Sequence, residues 1–458
     1  MNARSITAAL VVLAACSSTD PPARPSFDDA GPPAALPDAG ATPDGSAADA
    51  RAPFDPDDEP VTCGASPCAV ELVAGDRHFC ARISDGTVRC WGADEHGQLG
   101  RGAPPDGGAP TDAGAAKPSV IGLANVTQLS AAAATSCART ADGSVFCWGA
   151  NDHGELGRTV DGSIDTDPHA VPARVAIEAA SRVDVGQGSA CATTAAGAAI
   201  CWGNDESAQL ARGEPSGSAL PPARAELGVV VKRTAGGIDT SFALDASGTL
   251  LTWGAVAGPQ GILSGRISSV TPTPLPSAVH DLGAVTTFAV SGTSPGRPRP
   301  NSLPGDPPPP PNQHACAITT SGSVYCWGKS ERGALGSGLP DANVPLPTIA
   351  RITSSAYPQQ IAANGETTCV RMTDGSVLCT GENERGQLGT GSAGPFSSTF
   401  TGAITLSGRA VRVAVARETV CALLQDGAVA CWGANEHGEL GLGTIDEDPH
   451  PSATKVPL

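Results

Sequence analysis

Cysteine is the residue with the widest chemical reach in this 458-residue chain, which has fifteen of them. Twelve fall into six pairs with partners ten positions apart: Cys80 with Cys90, Cys137 with Cys147, Cys191 with Cys201, Cys316 with Cys326, Cys369 with Cys379, and Cys421 with Cys431. A structural zinc site would need four ligands converging, with thiolates in close pairs such as C-x-x-C, and a ten-residue separation fits that poorly. Redox catalysis would need an exposed thiol of lowered pKa, and six near-identical pairs point to a repeated structural staple. Disulfides are the reading that the spacing favours. Cys63 and Cys68 are close enough for a seventh bridge, which leaves Cys16 unpaired.

Other side chains with chemical potential also recur in register. All six tryptophans, Trp91, Trp148, Trp202, Trp253, Trp327 and Trp432, precede a glycine in equivalent slots, and Thr380 fills that slot once. They could stack sugars or bases, or fill gaps between neighbouring units, where a large ring buries the most area; their recurrence with the repeat favours packing. His96, His153 and His437 share an x-His-Gly slot, while His78 and His314 fall two residues before a paired cysteine. Two acidic loops, Ile164–His169 and Ile445–His450, place Asp165, Asp167, Asp446 and Asp448 where carboxylates could gather around Ca²⁺. The twelve-residue calcium loop with its glycine and terminal Glu is missing, so a solvated loop is the favoured reading and no cofactor is expected. No His-Glu-x-x-His and no phosphate loop occur.

The elements that must position these residues are hairpins. Cys80 and Cys90 centre on Asp85, so a loop Ser84-Asp85-Gly86 would set Ile83 opposite Thr87 and Cys80 opposite Cys90. Three-residue hairpin loops want a type I turn followed by a residue in the left-handed region, usually glycine. Glycine holds that place in every copy: Gly86, Gly143, Gly197, Gly248, Gly322, Gly375 and Gly427. Each cysteine pair then sits on a non-hydrogen-bonded pair, with Cα atoms about 4.5 Å apart, within disulfide reach. On a chain-entropy model each such loop contributes on the order of 3 kcal/mol.

First hairpin positions fall at 80, 137, 191, 242, 316, 369 and 421; Phe242 and Thr252 replace the cysteines in the fourth copy. The spacings are 57, 54, 51, 74, 53 and 52, and a Pro-rich insertion at about 291–312 accounts for most of the long one. Seven β-rich repeats of just over 50 residues predict an all-β fold, a closed seven-bladed β-propeller with four-stranded blades over residues 61–458.

The N-terminus reads differently. Arg4 precedes a short apolar run, Ile6 to Ala15, too short to span a bilayer but suited to an export signal over 1–15. It ends in Leu13-Ala14-Ala15-Cys16, which resembles the lipobox of bacterial lipoproteins, making Cys16 the expected lipidation site. Residues 16–60 are rich in Pro, Ala and Asp; from Ser17 to Pro60, ten acidic residues face two arginines. That composition predicts a disordered N-terminal tether. An oxidising compartment agrees with the cysteine count, so an outer-membrane or cell-surface lipoprotein is expected, reaching the membrane only through its lipid. The net charge is −18 and no Lys/Arg cluster is present, which argues against nucleic acid as a partner.

The recurring pattern C-A-x-x-x-D-G-x-V-x-C-W-G-x-N-x-x-G-x-L-G resembles the regulator of chromosome condensation repeat, and its cysteine pairs resemble an exported bacterial branch of that family. The resemblance implies four-stranded blades and a ring closed by pairing strands from both chain ends, with Ala453–Leu458 supplying a strand that the first repeat lacks. The founding member is a nucleotide-exchange factor that binds chromatin; an exported acidic chain is not expected to do either. An exported relative that inhibits a β-lactamase through loops on one face implies instead a monomeric, non-enzymatic binding module for an unknown protein or glycan partner. The alternatives are a polysaccharide-acting enzyme with carboxylates at the propeller mouth, or a structural surface protein.

Overall fold

The computed structural model describes residues 59–102, 119–255, 257–258, 261–262, 264–266, 272–292, 312–402 and 405–458. The expected export signal, the expected lipidation site Cys16, nearly all of the expected tether and most of the Pro-rich insertion lie outside these residues.

Every secondary-structure element described is a strand, and the strands form seven antiparallel blades and two short two-stranded ribbons, Thr159–Val160 with Ser163–Ile164 and Ala257–Gly258 with Gly261–Ile262. Blade 2 shows the plan: an inner strand Val126–Ala132, a second strand Thr135–Thr140, a third strand Val145–Gly149 and an outer strand His169–Arg174. The inner strands of the other blades are Ala69–Ala74, Ala180–Val185, Val231–Gly236, Val285–Val290, Pro358–Asn364 and Ala410–Val415. Blade 1 has three described strands, and its outer edge is marked by a bridge between Arg89 and Ser119.

Hairpin chemistry drives this regularity. The seven loop glycines have φ between 78° and 88°, the left-handed conformation the loop requires. In the first hairpin the Ile83 N–H donates to Thr87 O at 2.8 Å and the Gly86 N–H to Ile83 O at 2.9 Å. Cys80 therefore faces Cys90. The same register sets Cys137 opposite Cys147, Cys191 opposite Cys201 and Cys316 opposite Cys326. It also sets Cys369 opposite Cys379 and Cys421 opposite Cys431. All six of these pairs are joined as hairpin disulfides, each with Cα atoms 4.1 Å apart, a little closer than the spacing expected of a non-hydrogen-bonded pair. Outer strands are exposed edges that could pair with other chains; prolines such as Pro172, Pro221, Pro274, Pro345 and Pro451 interrupt their donor rows.

The core is divided into seven clusters, one at each junction between consecutive blades. The last joins Phe79 and Trp91 of blade 1 to Leu423, Leu440 and Val456 of blade 7, which closes the ring. This corrects one expectation: the two chain ends do not pair within one sheet. The C-terminal strand Asp446–Lys455 is the outer strand of its own blade, paired with Val429–Asn435. Closure uses face packing and the bond found at most other junctions. The first N–H of an inner strand donates to the hairpin glycine carbonyl of the preceding blade, as Val126 to Gly86 and Ala180 to Gly143, and at the closing seam Ala69 to Gly427 at 3.2 Å. The Cys63–Cys68 bridge holds the entry segment at this seam, where the Thr62 and Gly64 N–H groups donate to Gln425 O and Asp426 O.

Candidate functional site: the central channel and its two mouths

The seven inner strands line a central cavity of about 200 Å³. One mouth carries the hairpins between second and third strands; the other, the return mouth, carries the turns from inner to second strands and the loops from third to outer strands. Each inner strand begins with a register shift against its neighbour, the extra residue being Val70, Thr127, Ser181, Lys232, Thr286, Gln359 or Val411. Such a bulge re-aims the residues beside it.

The first cross-strand pairs after the bulges form one level near the hairpin mouth: Glu71/Arg82, Gln128/Arg139, Arg182/Thr193, Arg233/Leu244, Thr287/Ile318, Gln360/Arg371 and Arg412/Leu423. Six of the seven blades thus bring one arginine to this level, from the inner strand or from its partner. Sequence reading missed the ring, although its signal is a fixed offset: nine residues before the first hairpin position (Arg182, Arg233, Arg412) or two after it (Arg82, Arg139, Arg371).

The arginines group around two carboxylates. Glu71 accepts from Arg82 Nε at 2.8 Å, and Arg139 and Arg182 lie in the same electrostatic neighbourhood. Glu59, arriving from the N-terminal segment, pairs with Arg371 Nη1 at 2.5 Å and Arg409 Nη2 at 2.9 Å. Arg371 is fully buried; burial pushes its pKa down to about 10, Glu59 opposes that, and Arg409 and Arg412 add to it. The channel carboxylates are tied into the wall. Glu71 Oε1 accepts from the Leu129 N–H, and Asp184 accepts from Arg182 Nε and from the Thr234 N–H and hydroxyl. Gln128 and Gln360 span their junctions the same way, accepting from Val183 N–H and Val413 N–H.

The tryptophans are packing residues. All six are fully buried, and the Nε1–H groups donate to carbonyls of the preceding blade, as Trp91 to Glu439, Trp148 to Gln98, Trp202 to Glu155, Trp253 to Gln209 and Trp432 to Gln387. Where Thr380 replaces the ring, its hydroxyl donates to Gly333 O at 2.9 Å, and Phe400 from the outer strand fills the volume. A Cβ on Gly336 would meet the Phe400 ring, just as one on Gly157 would meet Trp202. Sequence analysis missed Phe400 because the substitute comes from another strand.

The histidines before the hairpins are interblade pegs. His78 Nε2 lies 2.8 Å from Ser136 Oγ, and His314 Nε2 lies 2.7 Å from Thr368 Oγ1. Complete burial lowers each pKa to about 4. His437 sits by Glu439 and Glu95, and its bond to Glu439 raises its pKa. In the acidic loops Asp165 pairs with His169 at 2.7 Å and with Arg158, and its Oδ1 accepts from the Asp167 N–H. Asp446 pairs with His450 at 2.7 Å and accepts from Asn435 and the Asp448 N–H. Among the described residues no group of three or more His, Cys, Asp or Glu side chains is placed to hold a metal ion. Glu366, in the blade 6 return turn, accepts from Ser330 Oγ at 3.0 Å; burial lifts its pKa to about 7. A Gly-x-Ser-x-Gly spacing, Gly292 to Gly296, carries its Ser294 in the insertion, outside the described residues.

Profiles described as "Regulator of chromosome condensation (RCC1) repeat" match residues 69–98, 126–155, 312–334 and 359–387, and a second profile with that description matches 142–192. Those stretches of the chain are similar to regulator of chromosome condensation repeats. It is 26% identical over 375 residues to the "Ultraviolet-B receptor UVR8" of Arabidopsis thaliana, covering 81% of this chain and 78% of that one. It is 28% identical over 284 residues to the "E3 ubiquitin-protein ligase HERC2" of Homo sapiens, a match spanning 60% of this chain but only 5% of the ligase. Among solved structures, yeast RCC1 (Prp20) bound to Kap60 superposes with a TM-score of 0.64 at 17% identity over 85% of each chain. Human WBSCR16 superposes at 0.57 and 20% identity, over 77% of this repeat protein and 85% of that chain. At these identities the structures establish the propeller fold and nothing about chemistry.

Proposed function

We propose that this repeat propeller is a non-enzymatic binding module, exported and lipid-anchored at Cys16, that presents its return mouth to a protein or glycan partner. The observation that carries the reading is the set of loops between third and outer strands. They hold exposed apolar side chains in four blades, Val160, Leu339, Phe396 and Ile445, on blades stapled by disulfides. Exposed apolar groups on a rigid frame bind with little ordering cost. Partners named for relatives support a protein ligand: the yeast propeller is crystallised with Kap60. Against the polysaccharide-acting alternative, the channel carboxylates Glu71 and Asp184 are each held by an arginine and a backbone N–H, which weighs against these two serving as the acid and base pair that glycoside hydrolysis uses.

The test is capture from envelope extracts under oxidising conditions, comparing the protein with a variant carrying Val160→Asp, Leu339→Asp, Phe396→Asp and Ile445→Asp. The reading expects a partner retained by the first and lost by the second at unchanged melting temperature. Equal capture by both would overturn it.

A further inference from the structure

At six of the seven junctions the chain itself runs from one blade into the inner strand of the next. The residue just before that inner strand lies against the hairpin glycine of the preceding blade, as Asn125 does on Gly86, Tyr357 on Gly322 and Arg409 on Gly375. The junction between blades 7 and 1 has no such link, because its two sides come from opposite ends of the repeat array. Residues 59–68 replace it as a strap. Glu59 is held by Arg371 and Arg409, and Val61 packs on the buried cluster of the seam. The Thr62 and Gly64 N–H groups donate to Gln425 O and Asp426 O, and Cys68 takes the seat on Gly427.

The strap also carries the disulfide that solvent reaches. Cys63 is exposed, and its partner Cys68 is 7% exposed. Of the twelve hairpin cysteines, eleven are at most 1% exposed. The twelfth, Cys191, is half-buried against the cluster between blades 3 and 4, and its partner Cys201 is fully buried. Thiol–disulfide exchange requires a thiolate to reach a disulfide sulfur, so a staple inside a blade reacts only when that blade opens. We infer that Cys63–Cys68 is the protein's thiol–disulfide exchange site, and that its reduction by an external dithiol unfastens the junction between blades 7 and 1. One thiolate of the dithiol attacks Cys63 Sγ, the Cys63–Cys68 bond breaks, and Cys68 leaves as a thiolate that takes up a proton. The second thiolate of the dithiol then closes on its own sulfur in the mixed disulfide and releases Cys63 as a thiol. The dithiol gives two electrons and ends as its own disulfide. The opened loop regains conformational freedom, and the two bonds it makes to the last hairpin lose the closed turn that presents them. The other six junctions keep their peptide link, so loosening stays at the seam.

The test exposes the folded, full-length protein to dithiothreitol, quenches by alkylation at successive times and reads each cysteine by mass spectrometry. Cys63 and Cys68 should be alkylated at least tenfold faster than every hairpin pair, with Cys191–Cys201 the closest competitor. When only Cys63–Cys68 is open, amide exchange should be at least tenfold faster in Ala69–Ala74 and Thr419–Leu424 and unchanged in Val231–Gly236 of blade 4. Reoxidation with diamide should restore protection at the seam. In the double variant Cys63→Ser with Cys68→Ser the same dose of dithiothreitol should add nothing to exchange at the seam, which separates this bridge from the buried ones. The inference is overturned if Cys63–Cys68 resists dithiothreitol in the folded protein or if a hairpin pair opens as fast. It is equally overturned if the bridge opens without loss of protection at the seam, or if dithiothreitol loosens the seam of the double variant.

Discussion

Trp253 and its equivalents sit between blades because an indole fills a gap that smaller side chains leave, with its N–H bonded to the neighbouring return loop. Thr380 shows how tightly that gap is specified. Its hydroxyl also bonds the preceding blade, one residue earlier at Gly333 O, and Phe400 supplies the missing ring. Thr380→Trp should therefore overpack the junction and destabilise the protein by about 1–3 kcal/mol. The double variant Thr380→Trp with Phe400→Ala should recover most of the loss in denaturant unfolding. A simple gain from Thr380→Trp alone would refute the compensation.

His78 and His314 add a pH dependence. Their folded pKa values lie near 4, below the ordinary 6.5, so the unfolded chain binds protons first as pH falls. Their stabilising contribution is present above pH 6.5 and is lost between 6.5 and 4, on the order of 3 kcal/mol per histidine. Thermal melts of His78→Gln should fall less steeply over that window than those of the unaltered protein. The tryptophan slots were legible in the sequence because they recur in frame. Phe400, and the Ser136 and Thr368 partners of the histidines, were not, because each lies on a different strand from the residue it serves.

At the level of elements, the hairpin is the unit that repeats. Its glycine and its opposed pair follow from counting residues, so the register of Cys80 opposite Cys90 could be worked out before any coordinates, and with it that of Cys147, Cys326 and Cys379 against their partners. What counting could not supply was the bulge at the start of each inner strand, which is a matter of backbone pairing and sets the level of the arginine ring. Replacing Cys191 and Cys201 by Ser should cost about 2–4 kcal/mol by releasing a hairpin loop in the unfolded chain, measured under oxidising conditions. Blade 4 holds the same register without a bridge: Phe242 faces Thr252 and packs on Phe288 and Trp327. Glu366 carries the opposite pH signature to the histidines. Its folded pKa of about 7 lies above the ordinary 4.5, so it weakens the fold as pH rises through that interval. Glu366→Gln should raise the melting temperature at pH 8 relative to the unaltered protein and leave it unchanged at pH 4.

The whole molecule is a ring whose seam is its distinguishing feature. The sequence repeats allowed the blade number to be counted, but the manner of closure depends on which neighbours the terminal strands meet, and repeat counting alone does not decide that. Blades 7 and 1 meet through a buried cluster, the Ala69 to Gly427 bond and the Cys63–Cys68 loop on the last hairpin. Cys63→Ser with Cys68→Ser should loosen this seam before any other, so amide exchange should rise first in Ala69–Ala74 and Thr419–Leu424. A uniform rise over all blades would show that the loop is not a clasp.

Around that ring the two mouths differ: one presents apolar loops, the other a ring of arginines. The loop mouth is the face proposed to meet a partner. Photo-crosslinking residues placed singly at Val160 and Leu339, with Leu275 on an outer strand as the exposed control, test it in intact cells. Discrete adducts of one mass class are expected from Val160 and Leu339 and none from Leu275. Adducts from Leu275 at equal yield, or none from either loop position, would contradict it.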